Sequence, residues 1–214
     1  MATDWNATGE MLQGIGAISS ALAIAFAAYI GRNTFTSWRR QKQEERRMEA
    51  AESILTLAYQ LRYNFRSVRT PLIDQRELDE AENVLRADSG EWWERQPDDV
   101  RRRASIAQVI MNRLRRHHED WQRIWELKPL ALAFFGPTAE RSLDVFWEQY
   151  VSLLSDAEAF ANIEDKDAEG LQGARDRLFR QCEESAITQT IDQAVARLEA
   201  DLQPTIYAHS KAYR

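Results

Sequence analysis

The sequence predicts an all-α protein with one N-terminal transmembrane helix that continues into a stalk, followed by an antiparallel cytosolic helical bundle. Three observations carry this expectation. Met11 to Gly31 is a run of 21 residues without a charge, and a basic stretch follows it directly. Apolar residues recur at three- and four-residue spacing through most of the remainder, the period of helices with one buried face. The 214 residues hold only 8 Gly and 5 Pro, with no long alternating β-branched run, which disfavours a loop-rich β architecture. The expected organisation is a short extracytoplasmic tail over 1–10, the span over 11–31, a basic juxtamembrane and stalk helix over 32–67, the bundle over 68–204 and a C-terminal tail over 205–214.

At 1.5 Å rise per residue the uncharged run makes a helix about 30 Å long, matching the hydrocarbon core of a bilayer. Residues 1–10 contain Asp4 and Glu10 but no Lys or Arg, whereas 32–47 contain Arg32, Arg39, Arg40, Lys42, Arg46 and Arg47. Basic residues stay on the cytoplasmic side, so the N-terminus is expected outside and the C-terminus in the cytosol of a bacterial inner membrane. Trp5, Tyr29 and Trp38 stand where amphipathic rings sit at headgroups, with Trp38, Arg39, Arg40 and Lys42 the expected lipid contacts. A signal peptide would need its positive charge before the apolar run, the reverse of this order. A buried helix of a soluble core is the competing reading, since Gln13, Gly14, Gly16, Ser19 and Ser20 interrupt the apolar character. Gly16, Ser20, Ala23 and Ala27 line one face, where small residues let two spans approach closely, so a homo-oligomer is expected.

From Met48 the stripe Ala51, Leu55, Ala58, Leu61, Phe65 and Val68 extends the first helix to about Ser67, and Thr70-Pro71 ends it because the residue before proline is pushed out of helical geometry. Asp74 with Glu77 three residues later has the spacing of a capping box and opens a helix to about Arg86, followed by an Ala87–Gly90 loop. Asp98 or Asp99 is the expected cap of a long helix bearing Ala107, Ile110, Leu114, His117, Trp121 and Ile124, limited by Pro129. Ala131 to Phe135 adds one turn before Gly136-Pro137, where glycine can end one helix and proline begin the next. The stripe Leu143, Phe146, Tyr150, Leu153, Leu154, Ala157 and Phe160 predicts a packed helix. A more polar pair follows over about Ala168 to Cys182 and Ser185 to Leu202, stopping near Pro204.

No Gly-rich phosphate loop is present, and Gly170 and Gly173 lack a following Lys-Ser/Thr. Adjacent His117 and His118 point about 100° apart on a helix, so they do not share a face as metal ligands would. His117 is read as a core residue and His118 as solvated. Cys182, the single cysteine, has no partner at catalytic spacing and offers no internal disulfide. No catalytic residue, cofactor or metal is therefore expected. Arg101, Arg102, Arg103, Arg113, Arg115 and Arg116 are read as a solvated face paired with the acidic C-terminal helices, with phosphate binding as the sharper alternative. Residues 156–201 hold twelve acids against five bases, which argues against nucleic acid as a partner. Trp92 and Trp93 lie between Gly90 and Pro97, outside any stripe. Burial at the bundle end is favoured for them, and exposure would make them a partner surface.

Trp38-Arg39-Arg40-Gln41-Lys42 after the span, Ala51-Glu52-Ser53-Ile54-Leu55 opening the stalk, and Lys128-Pro129-Leu130 leading to Phe135-Gly136 give the chain a resemblance to a loose group of bacterial single-pass, mostly helical membrane proteins with no assigned activity. The resemblance covers about residues 10–160, implies an inner-membrane location and transfers no reaction or ligand. The tail from Asp165 departs most from it. Strong packing stripes without a convergent polar cluster point to a non-enzymatic, membrane-anchored interaction or scaffold protein that docks an unknown cytosolic protein. The alternative is a membrane-acting effector or channel component of cell-killing or phage-defence type, assembled from many copies.

Overall fold

The computed structural model describes residues 5–163, 168–179 and 185–212, and within these it leaves out the side chains of 5–21, 23, 25, 33, 168 and 208–212. The described chain is helical throughout, 92% helix with no strand. Its helices are α1 (Trp5–Val68), α2 (Gln75–Ser89), α3 (Glu91–Glu94), α4 (Asp98–Arg116), α5 (His118–Phe135), α6 (Pro137–Asn162), α7 (Ala168–Phe179) and α8 (Ala186–Ala212). Two compact units divide the chain, Met1–Arg47 and Met48–Arg214. The second begins at Met48 rather than at residue 68, because the stripe from Ala51 to Val68 is buried in the core.

In the first unit, α1 covers Met11–Gly31, so this segment is helical. Gly16, Ser20 and Ala23 of the expected packing face lie outside the described side chains, and Ala27 is exposed. Among the described residues no helix is long and apolar enough to cross a membrane, and for most of the expected span the side chains lie outside the description.

The core of the second unit is built around α6, which packs against α4, α5, α7 and α8. Its stripe predicts this: Leu143, Phe146, Leu153, Ala157 and Phe160 are buried, and Tyr150 and Leu154 pack at the edge. The α5–α6 hairpin turns on Gly136, whose φ of +86° is a conformation that side chains with a Cβ rarely adopt, and Pro137 supplies the first turn of α6. Lys128 Nζ meets Asp144 Oδ1 at 2.5 Å and Trp125 packs edge-on to Trp147 at 5.3 Å. In both pairs the partners stand equally far from Gly136, which makes the hairpin antiparallel. The second half of α1 also runs antiparallel to α8: Tyr59 Oη donates to Glu199 Oε1 at 2.8 Å, while Arg62 and Arg66 reach Asp192 one to two turns earlier on α8. Glu199 acting as acceptor holds the Tyr59 hydroxyl above the usual phenol range.

Four expected boundaries are corrected. The helix opened by Asp74 runs on to Ser89, and Gly90 ends it at a φ of +54°. Neither Asp98 nor Asp99 caps α4: Pro97 occupies the cap without a side-chain bond, and both aspartates lie in the first turn, where negative charge complements the free N–H groups. The long helix expected from Asp98 to Pro129 is two helices broken at His117, whose φ is −105° and ψ is 23°. The Trp121 indole Nε1 donates to the Leu114 carbonyl at 3.1 Å, satisfying an acceptor at this break, so Leu114 and Trp121 both stay buried. Prolines limit neither α5 nor α8. Pro129 and Pro204 sit on exposed faces inside them, where the carbonyl one turn earlier can turn to water while residues such as Leu127 and Ala131 keep the helix seated.

Two substitutions test this packing by urea unfolding. Leu143→Ala, which empties a fully buried site on the central helix, is expected to lower stability by about 3 kcal/mol. Pro129→Ala restores a backbone donor without touching the core and should raise stability by about 1–2 kcal/mol. A neutral Leu143→Ala or a destabilising Pro129→Ala contradicts the assignment of these faces.

Candidate functional site

The most densely bonded polar cluster lies where α1 ends and α2 begins. Val68, Thr70 and Leu72 carry carbonyls at the α1 terminus and in the turn that follows it, out of reach of the helical ladder. Arg113, in the last turn of α4 and 8% exposed, supplies what they lack. Its Nη1 donates to Val68 O at 3.2 Å and Thr70 O at 2.7 Å, and its Nη2 to Leu72 O at 2.7 Å. The remaining N–H groups grip one carboxylate: Nε to Glu77 Oε1 at 3.0 Å and Nη2 to Glu77 Oε2 at 2.6 Å. All five guanidinium donors are therefore used.

Glu77 also completes the expected capping box. Asp74 Oδ1 accepts from Arg76 N at 3.2 Å, while Glu77 Oε2 accepts from Asp74 N at 3.4 Å. Arg116 adds a contact to Glu77 at 3.3 Å. The Arg113 bonds, with Asp74 N and Arg116 behind them, hold the Glu77 carboxyl below the usual carboxylate range against the opposing effect of burial. A cleft of about 200 Å³ opens here, lined by Ser67, Thr70, Glu77, Arg113, Arg116 and His117. Its charged groups are bonded to one another, so the cleft is a structural joint.

A second guanidinium closes the other side of the same turn. Arg69, 4% exposed, donates from Nη1 to Ser185 Oγ at 3.1 Å and Thr188 Oγ1 at 3.4 Å, and from Nη2 to Arg177 O at 3.0 Å. It ties the end of α1 to α7 and the start of α8. Burial pushes the Arg69 guanidinium below the ordinary arginine range, opposed by the Asp156 carboxylate.

Among the described residues, the ion-pair partners found for the arginine run of α4 lie outside the C-terminal helices. Arg101 bonds to Asp98 and approaches Glu94, Arg103 meets Asp99 at 3.3 Å, and Arg116 reaches Glu80 at 3.5 Å. The partners come from α2, α3 and the run's own first turn because these acids are a few residues away or directly across the α2–α4 contact. Asp98 holds the half-buried Arg101 above its ordinary range. Arg115 is exposed, and Arg102 sits at a separate hollow.

That hollow, about 540 Å³, lies between the α1–α2 linker, α4, α6 and α7, and Arg102, Arg103 and Arg175 stand over it. Trp92 and Trp93 form part of the single turn of α3 and divide: Trp93 is 1% exposed and Trp92 59%. In the first unit Trp38 stacks on Phe35 at 5.9 Å, Arg39 and Arg40 are exposed, and Lys42 Nζ pairs with Glu45 at 2.8 Å. His117 is half-buried at the helix break rather than in the core, and His118 is exposed. Among the described residues no three His, Cys, Asp or Glu side chains are grouped to hold a metal ion, and Cys182 lies outside them.

Sequence reading identified the capping box but missed that Arg113 and Arg69 converge on one turn. The available signal was an arginine one position off a buried stripe, at Arg113, and another between the last apolar residue of a helix and Thr-Pro, at Arg69.

The lowered Glu77 pKa implies acid sensitivity with a defined sign. Its contribution to stability is full above the unfolded glutamate value, about 4.3, and is lost as pH falls through the lower folded value. Glu77→Gln should therefore be less stable than wild type at neutral pH, and the two urea midpoints should converge as pH falls below about 4. A constant gap between them across that window contradicts the assignment. Compared with known proteins, the chain matches no family model, no curated protein and no solved structure.

Proposed function

We infer that the chain is a single-pass protein of a bacterial inner membrane, its helix over 11–31 spanning the bilayer, its N-terminus outside, and its bundle a cytosolic docking module. One observation supports the anchor above all. Leu22, Ile24, Phe26, Tyr29 and Ile30 of α1 are 48–70% exposed, Ile24 on the side of the helix opposite the other four, and no charge falls among residues 11–31 on any side. A helix apolar on every side needs a nonaqueous surrounding. The exit from this stretch carries the stacked pair Phe35 and Trp38 beside exposed Arg39 and Arg40, the order of an aromatic belt followed by cytoplasmic charge.

Self-association follows from the same segment. Gly16, Ser20, Ala23 and Ala27 give it a small-residue face on which a second copy packs closely within lipid. Docking is supported on the bundle by Trp125 and Leu132 of α5 and Val151 of α6, each close to half exposed, and by exposed Trp92 on α3. Exposed tryptophans are enriched in surfaces that meet a protein partner.

Alkaline carbonate extraction of expressing cells, combined with a reporter fused to the C-terminus, tests the anchor and its direction. The protein should stay in the pellet, with the reporter active in the cytosol; recovery in the supernatant, or activity in the periplasm alone, overturns the reading. Gly16→Ile is expected to reduce the oligomer size in mild detergent without releasing the protein from membranes. An unchanged size removes the pairing face from the account.

A further inference from the structure

The hollow between the α1–α2 linker, α4, α6 and α7 differs in composition from the surface around it. Its apolar wall consists of Ile73, Ile106, Phe160, Leu171 and Phe179, at the edge of the core. Among the described residues its charged side carries three guanidiniums, Arg102, Arg103 and Arg175, against a single carboxylate, Asp99. Asp99 is already engaged, 3.3 Å from Arg103 Nη1 one helical turn away. Arg102 and Arg175 are exposed, and among the described residues neither has an ion-pair partner.

The rest of the molecule makes this excess of positive charge a local feature. The formal net charge of the chain is −6, and neighbouring arginines of α4 are committed elsewhere: Arg101 to Asp98 and Glu94, Arg113 to Glu77, Arg116 to Glu77 and Glu80. Arg102 departs from that pattern because it faces α7, which contributes Arg175 to the same hollow. Two guanidiniums beside an apolar wall attract an anion, and the wall favours an anion that brings apolar surface with it. The volume of about 540 Å³ falls among small-molecule sites, which span about 300–1,000 Å³.

We propose that this hollow binds a free single-chain anionic amphiphile, its carboxylate or phosphate held by Arg102 and Arg175 and its acyl chain laid against Ile106, Phe160, Leu171 and Phe179. Guanidinium planes suit either head because both present paired oxygens to a forked donor. A neutral alcohol of equal chain length loses this contact, and an alkylammonium is repelled. The inference stands apart from the membrane anchor: it concerns residues 71–179 alone and holds whether or not the helix over 11–31 spans a bilayer.

The test uses the full chain in phosphatidylcholine nanodiscs, with dansyl-undecanoate as the probe and empty discs as the blank. Saturable probe fluorescence above the blank is expected, displaced by laurate and by dodecyl phosphate but not by dodecanol or dodecyltrimethylammonium. Arg102→Ala/Arg175→Ala removes two exposed side chains and should weaken binding at least about tenfold with an unchanged melting temperature. Leu171→Trp, which fills the hollow and keeps both charges, should abolish it. Equal displacement by dodecanol overturns the role of the arginines, and undiminished binding in both variants overturns the site. Replacing part of the disc lipid with phosphatidylglycerol separates the two sources of such a molecule: an unchanged probe signal supports a free ligand, and loss of signal assigns the hollow to a bilayer lipid and overturns the proposal.

Discussion

The turn after α1 is held from two sides by buried arginines, and the arrangement of the bundle depends on it. Arg113 enters from α4 and binds the carbonyls of Val68, Thr70 and Leu72 together with the Glu77 carboxylate of α2. Arg69 leaves the turn in the other direction and binds Ser185, Thr188 and the Arg177 carbonyl. Burying a guanidinium is unfavourable unless its donors are satisfied and its charge is met. Arg113 meets both conditions in full. Arg69 meets them in part, with polar acceptors and the nearby Asp156 in place of a bonded carboxylate. One short turn thereby sets α1 against α2, α4, α7 and α8 at once, and apolar packing around α6 fills the space between them.

This division of labour accounts for the charge distribution. The basic face of α4 is consumed largely in structure, by acids from α2, α3 and its own first turn. Among the described residues, exposed charge without an ion-pair partner includes Arg39 and Arg40 of α1 and the hollow under Arg102 and Arg175. Surface pairs such as Lys42 with Glu45 add little stability, since water screens both partners.

Periodicity made the helices and their buried faces legible, because a 3.6-residue stripe reports burial directly: the α6 stripe and Ala51 to Val68 both line the core. Cap chemistry made Asp74, Glu77 and Gly136-Pro137 legible, since those residues act on their own neighbours. Features set by tertiary context were not legible. Periodicity is blind to a one-residue break such as His117, because Leu114 and Trp121 keep helical spacing across it. Proline rules overstated Pro129 and Pro204, where an exposed face tolerates the missing donor. Among the described residues, α4 takes acid partners both from its own first turn and across its contact with α2, and charge counting does not report which helices meet.

The account depends most on Arg113 and Glu77 acting as one bonded unit. A double-mutant cycle with Arg113→Met, Glu77→Leu and the pair, unfolded in urea and followed by circular dichroism, measures that directly. Each single change is expected to lower stability by about 3 kcal/mol, because it strands a buried charge, and the double variant should fall short of the sum by at least about 1.5 kcal/mol. Additive losses, or an Arg113→Met protein as stable as wild type, would contradict the account.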